Sequence, residues 1–230
     1  MTTLSATQIK TLLNYASLPV FIKRENKYPI GIMLSILATF LYLFSNHLHF
    51  FEPKLLPLSW FDSIIPFLPE SVWIYVSEWM FFVVVYITCK DMFNLNTYFY
   101  SFLGLQVASV LIFWIWPTTY PRYLFPLPDT LNSATYYLFN ALRITDTPAN
   151  CCPSLHVSSV YLSTFIFLEE QREKFPIFFI WGTAIAISTL TTKQHYLIDV
   201  AMGFLMAVTT YWIFYRNVSY RPMDGAQAKR

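Results

Sequence analysis

Asn150-Cys-Cys-Pro-Ser-Leu-His156 is the stretch around which this chain is organised, because it forms a polar break between two strongly apolar runs. A second polar stretch, Thr191-Thr-Lys-Gln-His-Tyr-Leu-Ile-Asp199, follows after one further apolar hairpin. Each stretch carries one histidine at the edge of an apolar run. We therefore predict that these two stretches, the first and second islands, meet at one face of a membrane.

The composition predicts a protein that crosses a membrane several times. Of the 230 residues, 56% are hydrophobic, 20% aromatic and only 12% charged, whereas soluble domains carry about 25% charged residues. Several runs reach the roughly 20 apolar residues that span a bilayer. The net charge of +2 and the lack of a basic cluster with interleaved aromatics argue against nucleic acid as a partner. Membrane lipids are the expected partners, and no obligate protein partner is indicated.

Hydropathy also sets the domain boundaries. We predict one all-α membrane domain over residues 30–215, between a cytoplasmic N-terminal segment, 1–29, and a cytoplasmic tail, 216–230. Apolar residues at helical spacing within residues 4–22 predict a short interfacial helix. Residues 1–29 do not resemble a signal peptide, because the apolar run that follows is long and has no small-residue cleavage site.

Six apolar runs predict six transmembrane helices. They cover about 30–50, 72–88, 97–116, 156–168, 176–190 and 198–215. The connection 52–71 is rich in proline, which blocks a regular helix. The connection 118–150 lacks clear periodicity and is long enough to carry function. In the second helix, Glu78 is an ionisable residue near spanning depth; a buried hydrogen bond to another helix is the first interpretation and a functional role the second.

The distribution of positive charge predicts the orientation. Six helices place both ends of the domain on one side, and most of the 15 Lys and Arg residues lie on that side. The positive-inside rule then puts both termini in the cytoplasm and both islands toward the periplasm, exterior or lumen, as in a bacterial inner membrane or its equivalent. The fourth helix is short for a bilayer of about 30 Å, so we expect His156 at the depth of the lipid headgroups.

The first island has the features of an anion site. Ser154 is a suitable N-cap, and Pro153 is tolerated at a helix start. The helix N-terminus that follows offers free N–H groups and the positive end of a dipole. His156 would lie in the first turn, beside the bound anion.

The second island has the features of an activated histidine. His195 and Asp199 are four residues apart and share one helical face. The carboxylate could fix the tautomer of the imidazole and leave its other nitrogen free as a nucleophile, while His156 protonates a leaving oxygen. Three cations predicted on this face could neutralise phosphate oxygens: Arg122, Arg143 and Lys193.

Plainer interpretations exist for each feature taken alone. His195 and Asp199 could form a structural hydrogen bond at a helix end, and Ser154 and His156 could be an ordinary cap and an interfacial histidine. The adjacent pair at 151–152 with His156 could suggest zinc, but no CxxC spacing supports that site. The occurrence of both islands on one membrane face favours the chemical interpretation.

The two islands resemble the motifs of the type 2 phosphatidic acid phosphatase (PAP2) superfamily. The similarity lies in Pro-Ser-Leu-His at 153–156 and, after a hairpin, Lys-Gln-His-Tyr-Leu-Ile-Asp-Val at 193–200 with Gly203 beyond it. The helix order is similar over roughly 73–215, and the nearest branch contains inositol-phosphorylceramide synthase-like and sphingomyelin synthase-like enzymes. The resemblance implies an all-α bundle of six transmembrane helices, of the PAP2 or vanadium haloperoxidase-like type, with a lipid phosphate as substrate.

The resemblance also implies roles for individual residues. His195 would be the nucleophile that forms a phosphohistidine, Asp199 would orient it, and His156 would be the general acid. Ser154 and Arg122 would hold phosphate oxygens. No metal or other cofactor is implied, because cationic side chains neutralise the phosphate.

This chain departs from the superfamily pattern at four positions. Ile115 stands in place of a lysine, Tyr123 of a proline, Leu155 of a glycine and Thr189 of an arginine. Two phosphate-binding cations are therefore missing, and Lys193 and Arg143 are the residues that could replace them.

The predicted function is a membrane-bound lipid phosphate phosphatase or phosphotransferase. Water as the second substrate gives hydrolysis, and a lipid or sugar hydroxyl gives transfer; water is always present, so hydrolysis is the broader expectation. One alternative is an inositol-phosphorylceramide synthase-like headgroup transferase with little hydrolysis. Another is a non-enzymatic lipid transport protein, for which the inverted repeats common in transporters are missing.

Overall fold

Six long helices form the body of the protein. The structure is a computed structural model that describes residues 17–48 and 50–222, with side chains to residue 220. The long helices are α1 (Lys27–His47), α3 (Val72–Thr88), α4 (Met92–Ile115), α6 (Leu155–Glu169), α7 (Phe175–Thr191) and α8 (Leu197–Arg216). The described part of the chain also contains two shorter helices, α2 (Trp60–Ile64) and α5 (Ser133–Thr145), four strands of two or three residues and three 3₁₀ turns.

Five helices of the described chain are long and apolar enough to cross a membrane. They are α1, α4 and α8, together with α3 and α7, which are each extended at the start by a 3₁₀ turn. The sixth, α6, is apolar but has only 15 residues. The predicted all-α membrane bundle is confirmed, and α6, the fourth of its six long helices, is short, as the sequence predicts.

Helix α6 is the central helix of the bundle. Nearly all of its residues are buried, and it packs against α3, α4, α7 and α8. Three of the four serine and threonine side chains in this apolar helix donate to a carbonyl of the preceding turn, as Ser163 does to Ser159 (2.7 Å) and Thr164 to Val160 (2.9 Å). Such local bonds satisfy the hydroxyl groups without water.

The end of the bundle away from the islands joins the two ends of the described chain. Strand β1 (Leu18–Val20) pairs in parallel with β4 (Tyr220–Pro222). The predicted interfacial helix over 4–22 is therefore wrong at β1, where the backbone bonds to another strand. Residues 4–16 of that prediction lie outside the described residues. Buried Asn96 of α4 holds this segment, since its carboxamide bonds to the backbone of Ile22.

The end of the bundle that carries the islands, the site end, is closed by the two long connections. Strand β2 (Lys54–Leu55) pairs in parallel with β3 (Thr118–Thr119), and Thr118 also bridges Asn150 at the start of the first island. The connections at 52–71 and 118–150 thus run side by side, and each contacts an island.

Three boundaries differ from the sequence prediction for local reasons. Residues 118–150 contain α5, which is capped by Asn132 and buries Phe139, so the prediction of an irregular connection is wrong there. Helix α2 forms in the proline-rich connection because Ser59 caps it. Helix α4 starts five residues before the predicted residue 97, since Asp91 caps its first turn despite the polar residues that follow.

A glycine allows α8 to lie directly against the start of α6. A Cβ atom at Gly203 would stand 2.6 Å from the carbonyl oxygen of Ser154 and 3.2 Å from Cβ of Val157. A backbone carbonyl cannot move aside as a side chain can. Helix α8 therefore approaches the first island this closely only because residue 203 has no side chain.

We expect Gly203→Ala to lower the free energy of unfolding by about 1–3 kcal/mol, because an added methyl group in a tight contact forces the two helices apart. Gly104→Ala is the matched control: its Cβ would meet only the edge of the Phe214 ring, at 2.8 Å, and that ring can rotate. Denaturant unfolding in detergent measures both. Equal losses for the two variants would contradict the proposed importance of the contact at residue 203.

Candidate active site

The histidine of the first island is held between two side chains of α3. Nδ1 of His156 donates to Oε2 of Glu78 at 2.7 Å, and its Nε2 lies 2.7 Å from the hydroxyl of Tyr75. Tyr75 and Glu78 are three residues apart and therefore share one face of α3. Glu78 does make the buried hydrogen bond to another helix expected from the sequence, and its partner is a predicted site residue.

The histidine of the second island is held by the first turn of α8. Nδ1 of His195 donates to Oδ2 of Asp199 at 3.3 Å, and the same oxygen accepts from the backbone N–H of Tyr196 at 2.9 Å. Asp199 is fully buried, and its Oδ1 has no partner among the described residues. Among the described residues, the Nε2 atom of His195 has no hydrogen-bond partner.

A tight turn places His195 at the start of α8. After α7 ends, Lys193 adopts a left-handed conformation with φ 54°. The N–H groups of Gln194 and His195 then both donate to the carbonyl oxygen of Thr189, at 2.9 and 3.1 Å. This left-handed closure is common at helix C-termini. It folds the second island back against the end of α7.

The two islands meet at their histidines. The ring centroids of His156 and His195 are 5.7 Å apart, with the planes inclined at 63°. Each imidazole has a carboxylate at Nδ1, from Glu78 and Asp199 respectively. A carboxylate at one ring nitrogen fixes the tautomer and raises the basicity of the other nitrogen. The geometry thus presents two oriented imidazoles to a shared space.

Ser154 links the two islands through its backbone. Its N–H donates to the carbonyl oxygen of Asp199 at 3.0 Å, and its Oγ caps α6 by accepting from the N–H of Val157 at 3.3 Å. The first i→i−4 bond of α6 runs from Ser158 to Ser154. The N–H groups of residues 155 and 156 lie before that bond, as in the usual anion site at a helix N-terminus.

Arg122 is the predicted cation that is connected to His156, indirectly, through Asp146 and Tyr42. Its guanidinium donates to Oδ2 of Asp146 at 3.0 Å and to the carbonyl oxygen of the same residue, while the hydroxyl of Tyr42 donates to Oδ1. Tyr42 also packs its ring edge-on against His156, with centroids 5.8 Å apart. The Nε atom of Arg122 is buried without a partner among the described residues. The guanidinium therefore keeps one donor that the ion pair does not use.

The pKa of Asp146 is set by two opposing effects. Burial alone would raise the pKa of this carboxyl, but the adjacent Arg122 guanidinium and the nearby histidines bring it below its ordinary value of 3.8. Burial also acts against the charge of Arg122, yet Tyr120 and Asp146 keep its pKa above the ordinary value. Both members of the pair therefore stay ionised at neutral pH.

The other two predicted cations are held by main-chain oxygens. The ammonium of Lys193 donates to the carbonyl oxygens of Asp62 (2.9 Å) and Ile65 (2.6 Å), and burial lowers its pKa. Arg143 donates to the carbonyl oxygen of Phe125 at 2.7 Å, and its guanidinium lies 4.7 Å from the ring centroid of Phe139. Their described hydrogen bonds support the loops over the site and include none to either histidine.

Asp62 is a supporting residue that the sequence analysis missed. One carboxylate oxygen closes the cap of α2 with Ser59, and the other accepts from the N–H of Leu197, the first residue of α8, at 2.7 Å. The spacing Ser-x-x-Asp at 59–62 is the capping-box signal, so α2 could have been found. Tyr75, Tyr42 and Asp146 were missed as well, and their partners are too distant in sequence for a local signal.

The positions that depart from the superfamily pattern have different surroundings. Ile115, at the end of α4, is 73% exposed. Thr189 is fully buried, and its carbonyl oxygen supports the turn before His195. Cys151 and Cys152 are buried, and burial raises the pKa of the Cys152 thiol to about 12.

A cavity of about 470 Å³ lies behind the histidine of the first island. Its walls come from α1, α3, α4 and α6, and most lining side chains are apolar. His156, Glu78 and Tyr42 border it. His156 thus contacts the paired imidazole on one side and an apolar space on the other.

Comparison with known proteins gives one family match. A family model described as the PAP2 superfamily matches residues 28–213, which is more than half of the chain. No curated protein and no solved structure gives a significant match. The match covers both islands and the six long helices almost completely, and it supports a phosphatase- or phosphotransferase-type function.

We expect Asp146→Asn to lower the free energy of unfolding at neutral pH by about 3–5 kcal/mol, because it leaves a buried guanidinium without its counter-charge. The pH dependence has a definite sign. A carboxyl whose pKa is lower in the folded than in the unfolded protein stabilises the fold at pH values above the unfolded pKa, which is near 3.8 for Asp146. This stabilisation is lost as the pH falls through the folded pKa.

The wild type should therefore lose stability in acid below about pH 4, and Asp146→Asn should lose less over the same range. Denaturant unfolding between pH 3 and 7 measures both effects. Asp129→Asn is the control, because Asp129 is exposed. If the two variants unfolded alike at neutral pH, the Arg122–Asp146 pair would not have the structural importance given to it here.

Proposed function

Because the chain belongs to the PAP2 superfamily, we propose that it is an integral membrane lipid phosphate phosphatase or phosphotransferase that acts through a phosphohistidine at His195. The observation that carries this proposal is the pair of imidazoles, 5.7 Å apart, each with a carboxylate at Nδ1. A nucleophile and a proton donor are the two groups that a double displacement at phosphorus needs.

In the first step, Nε2 of His195 attacks the phosphorus of the lipid phosphate. A nitrogen–phosphorus bond forms and the phosphorus–oxygen bond to the leaving group breaks. His156 gives its Nε2 proton to the leaving oxygen, which takes the place now occupied by the hydroxyl of Tyr75. Asp199 and Glu78 stabilise the positive charge that each imidazole carries during this step.

In the second step, the roles of the imidazoles are reversed. His156 removes a proton from water or from an alcohol, and the oxygen attacks the phosphohistidine. The phosphorus–nitrogen bond breaks and His195 returns to its free form. Water gives hydrolysis and an alcohol gives transfer, so one set of residues serves both outcomes.

Phosphate oxygens are bound by the start of α6 and by one arginine. The N–H groups of Leu155 and His156 and the hydroxyl of Ser154 surround the helix N-terminus, and Arg122 supplies the positive charge through its unused Nε donor. Lys193 and Arg143 contribute positive potential at longer range while they hold the loops. These groups neutralise the phosphate without a metal or other cofactor.

The site lies below the membrane surface and faces outward in this proposal. Glu78, which holds His156, follows the start of α3 at Val72 by six residues, or about 9 Å along the helix. A lipid phosphate could therefore reach His195 from the headgroup layer. The positive-inside rule places the site end toward the periplasm, exterior or lumen and both termini in the cytoplasm.

Transfer to a lipid alcohol is the second candidate, and the cavity behind His156 favours it. The cavity is apolar and borders the residue that would activate the acceptor hydroxyl. Water has no need of such a space, whereas a long-chain alcohol does. This is the reaction class of the inositol-phosphorylceramide synthase-like and sphingomyelin synthase-like branch.

We expect His195→Ala to abolish phosphate release and transfer on a panel of lipid mono- and diphosphates, because no phosphoenzyme can form. Labelled donor should give wild-type protein an acid-labile, alkali-stable phosphate. His47→Ala is the control, since His47 is exposed at the end of α1 and, within the described part of the chain, its ring bonds only to the Leu43 carbonyl oxygen. Turnover by His195→Ala would refute the mechanism.

We expect Glu78→Gln to slow cleavage of alkyl phosphates by roughly 10²-fold, the usual contribution of general acid–base catalysis. Cleavage of an aryl phosphate with a good leaving group should fall much less, because its oxygen leaves without a proton. Rates on matched alkyl and aryl substrates test this. Equal losses on both would assign Glu78 to the fold rather than to the proton donor.

A further inference from the structure

The cavity behind His156 opens toward the hydrocarbon of the membrane. Its rim includes Ile32 and Ile36 of α1 and Trp79 and Val83 of α3, which are 54–66% exposed. In a membrane-spanning bundle these side chains contact lipid tails. Its volume of about 470 Å³ falls within the range of small-molecule sites. A lipid chain can therefore enter the cavity sideways, between α1 and α3.

One wall of this apolar cavity carries an incompletely bonded carboxamide. Gln106, in the apolar helix α4, is only 4% exposed, and its Nε2 donates to Oγ of Ser159 at 3.2 Å. Its Oε1 has no hydrogen-bond partner among the described residues. The hydroxyl hydrogen of Ser159 likewise has no described acceptor. An acceptor left unbonded inside a membrane span costs free energy unless a ligand satisfies it.

We propose that Gln106 and Ser159 recognise a hydroxyl group of the lipid substrate, next to the oxygen that reacts at His156. A hydroxyl can donate to Oε1 of Gln106 and accept from the hydroxyl of Ser159, so it satisfies both groups. An ester or ether oxygen is only an acceptor and would leave Oε1 unbonded. An apolar chain would leave both groups unbonded.

The spacing along α6 sets the position of that hydroxyl on the lipid. Ser159 follows His156 by three residues, which places it on the same face and about 4.5 Å farther along the helix. The reacting oxygen and the recognised hydroxyl are therefore on neighbouring carbons or one carbon farther apart. The inferred class is a long-chain diol lipid, as the free alcohol or as its monophosphate. The position of the reacting oxygen rests on the function proposed above.

The test compares three ligands that differ at one carbon. The probes are the 1-phosphate of hexadecane-1,2-diol, its 2-O-methyl ether and hexadecyl phosphate, which has no second oxygen. We expect wild-type protein to bind the diol phosphate roughly tenfold more tightly than the other two, the usual contribution of a buried hydrogen bond. Thermal-shift titration in detergent gives the dissociation constants without any need for turnover.

Two variants make the result specific. Gln106→Leu should remove the preference while it leaves binding of hexadecyl phosphate unchanged, and its melting temperature reports that it folds. Ser109→Ala is the control, because Ser109 lies one turn along α4, buried against Met206 instead of in the cavity. It should keep the full preference. Equal affinity of the wild type for the three probes, or a preference that persists in Gln106→Leu, would overturn the inference.

Turnover of the same probes separates this inference from the proposed function. A binding preference that depends on Gln106, without turnover in any protein, would support the recognition site and refute the enzyme. Turnover that vanishes in His195→Ala but shows no preference among the probes would support the enzyme and refute the role of Gln106.

Discussion

The contact between the start of α6 and the first turns of α8 is the constraint on which the site depends. The backbone of Asp199 accepts from Ser154, while its carboxylate accepts from His195. One residue thus positions both islands through two different groups. Gly203 keeps the second turn of α8 free of a side chain that would separate them. The 5.7 Å between the histidine rings follows from this packing.

The electrostatics of the site suit a substrate that is bound largely by its apolar part. Glu78, Asp146 and Asp199 surround the two histidines, and Arg122 is already paired with Asp146. In the proposed function, a phosphate would meet an arginine that is already paired with Asp146, so Arg122 would offer the anion mainly its unused Nε donor. A lipid tail in the adjacent cavity would gain hydrophobic free energy far from the reacting atoms, and under the proposed function that free energy would hold the phosphate near His195.

The fold and the two histidines of the site could be predicted from the sequence, because both follow from local patterns. Apolar runs of spanning length predicted the bundle, and the i,i+4 spacing predicted the bond from His195 to Asp199. The partners of His156 and Arg122 could not be predicted this way. Glu78 lies 78 residues from His156 along the chain, and Asp146 lies 24 residues from Arg122. Only the packing of helices brings such pairs together. Helix α5 was missed because its single buried face is short and bounded by polar residues.

The shielding of α6 by its neighbours has a consequence for adaptation to different membranes. The longer helices contact lipid and must match the thickness of the bilayer, whereas α6 contacts mainly protein along its 15 residues. A change in bilayer thickness therefore acts on the outer ring of helices. In thicker or thinner membranes, the outer helices can become longer or shorter at the end opposite the site. The histidines would then keep their position relative to α6.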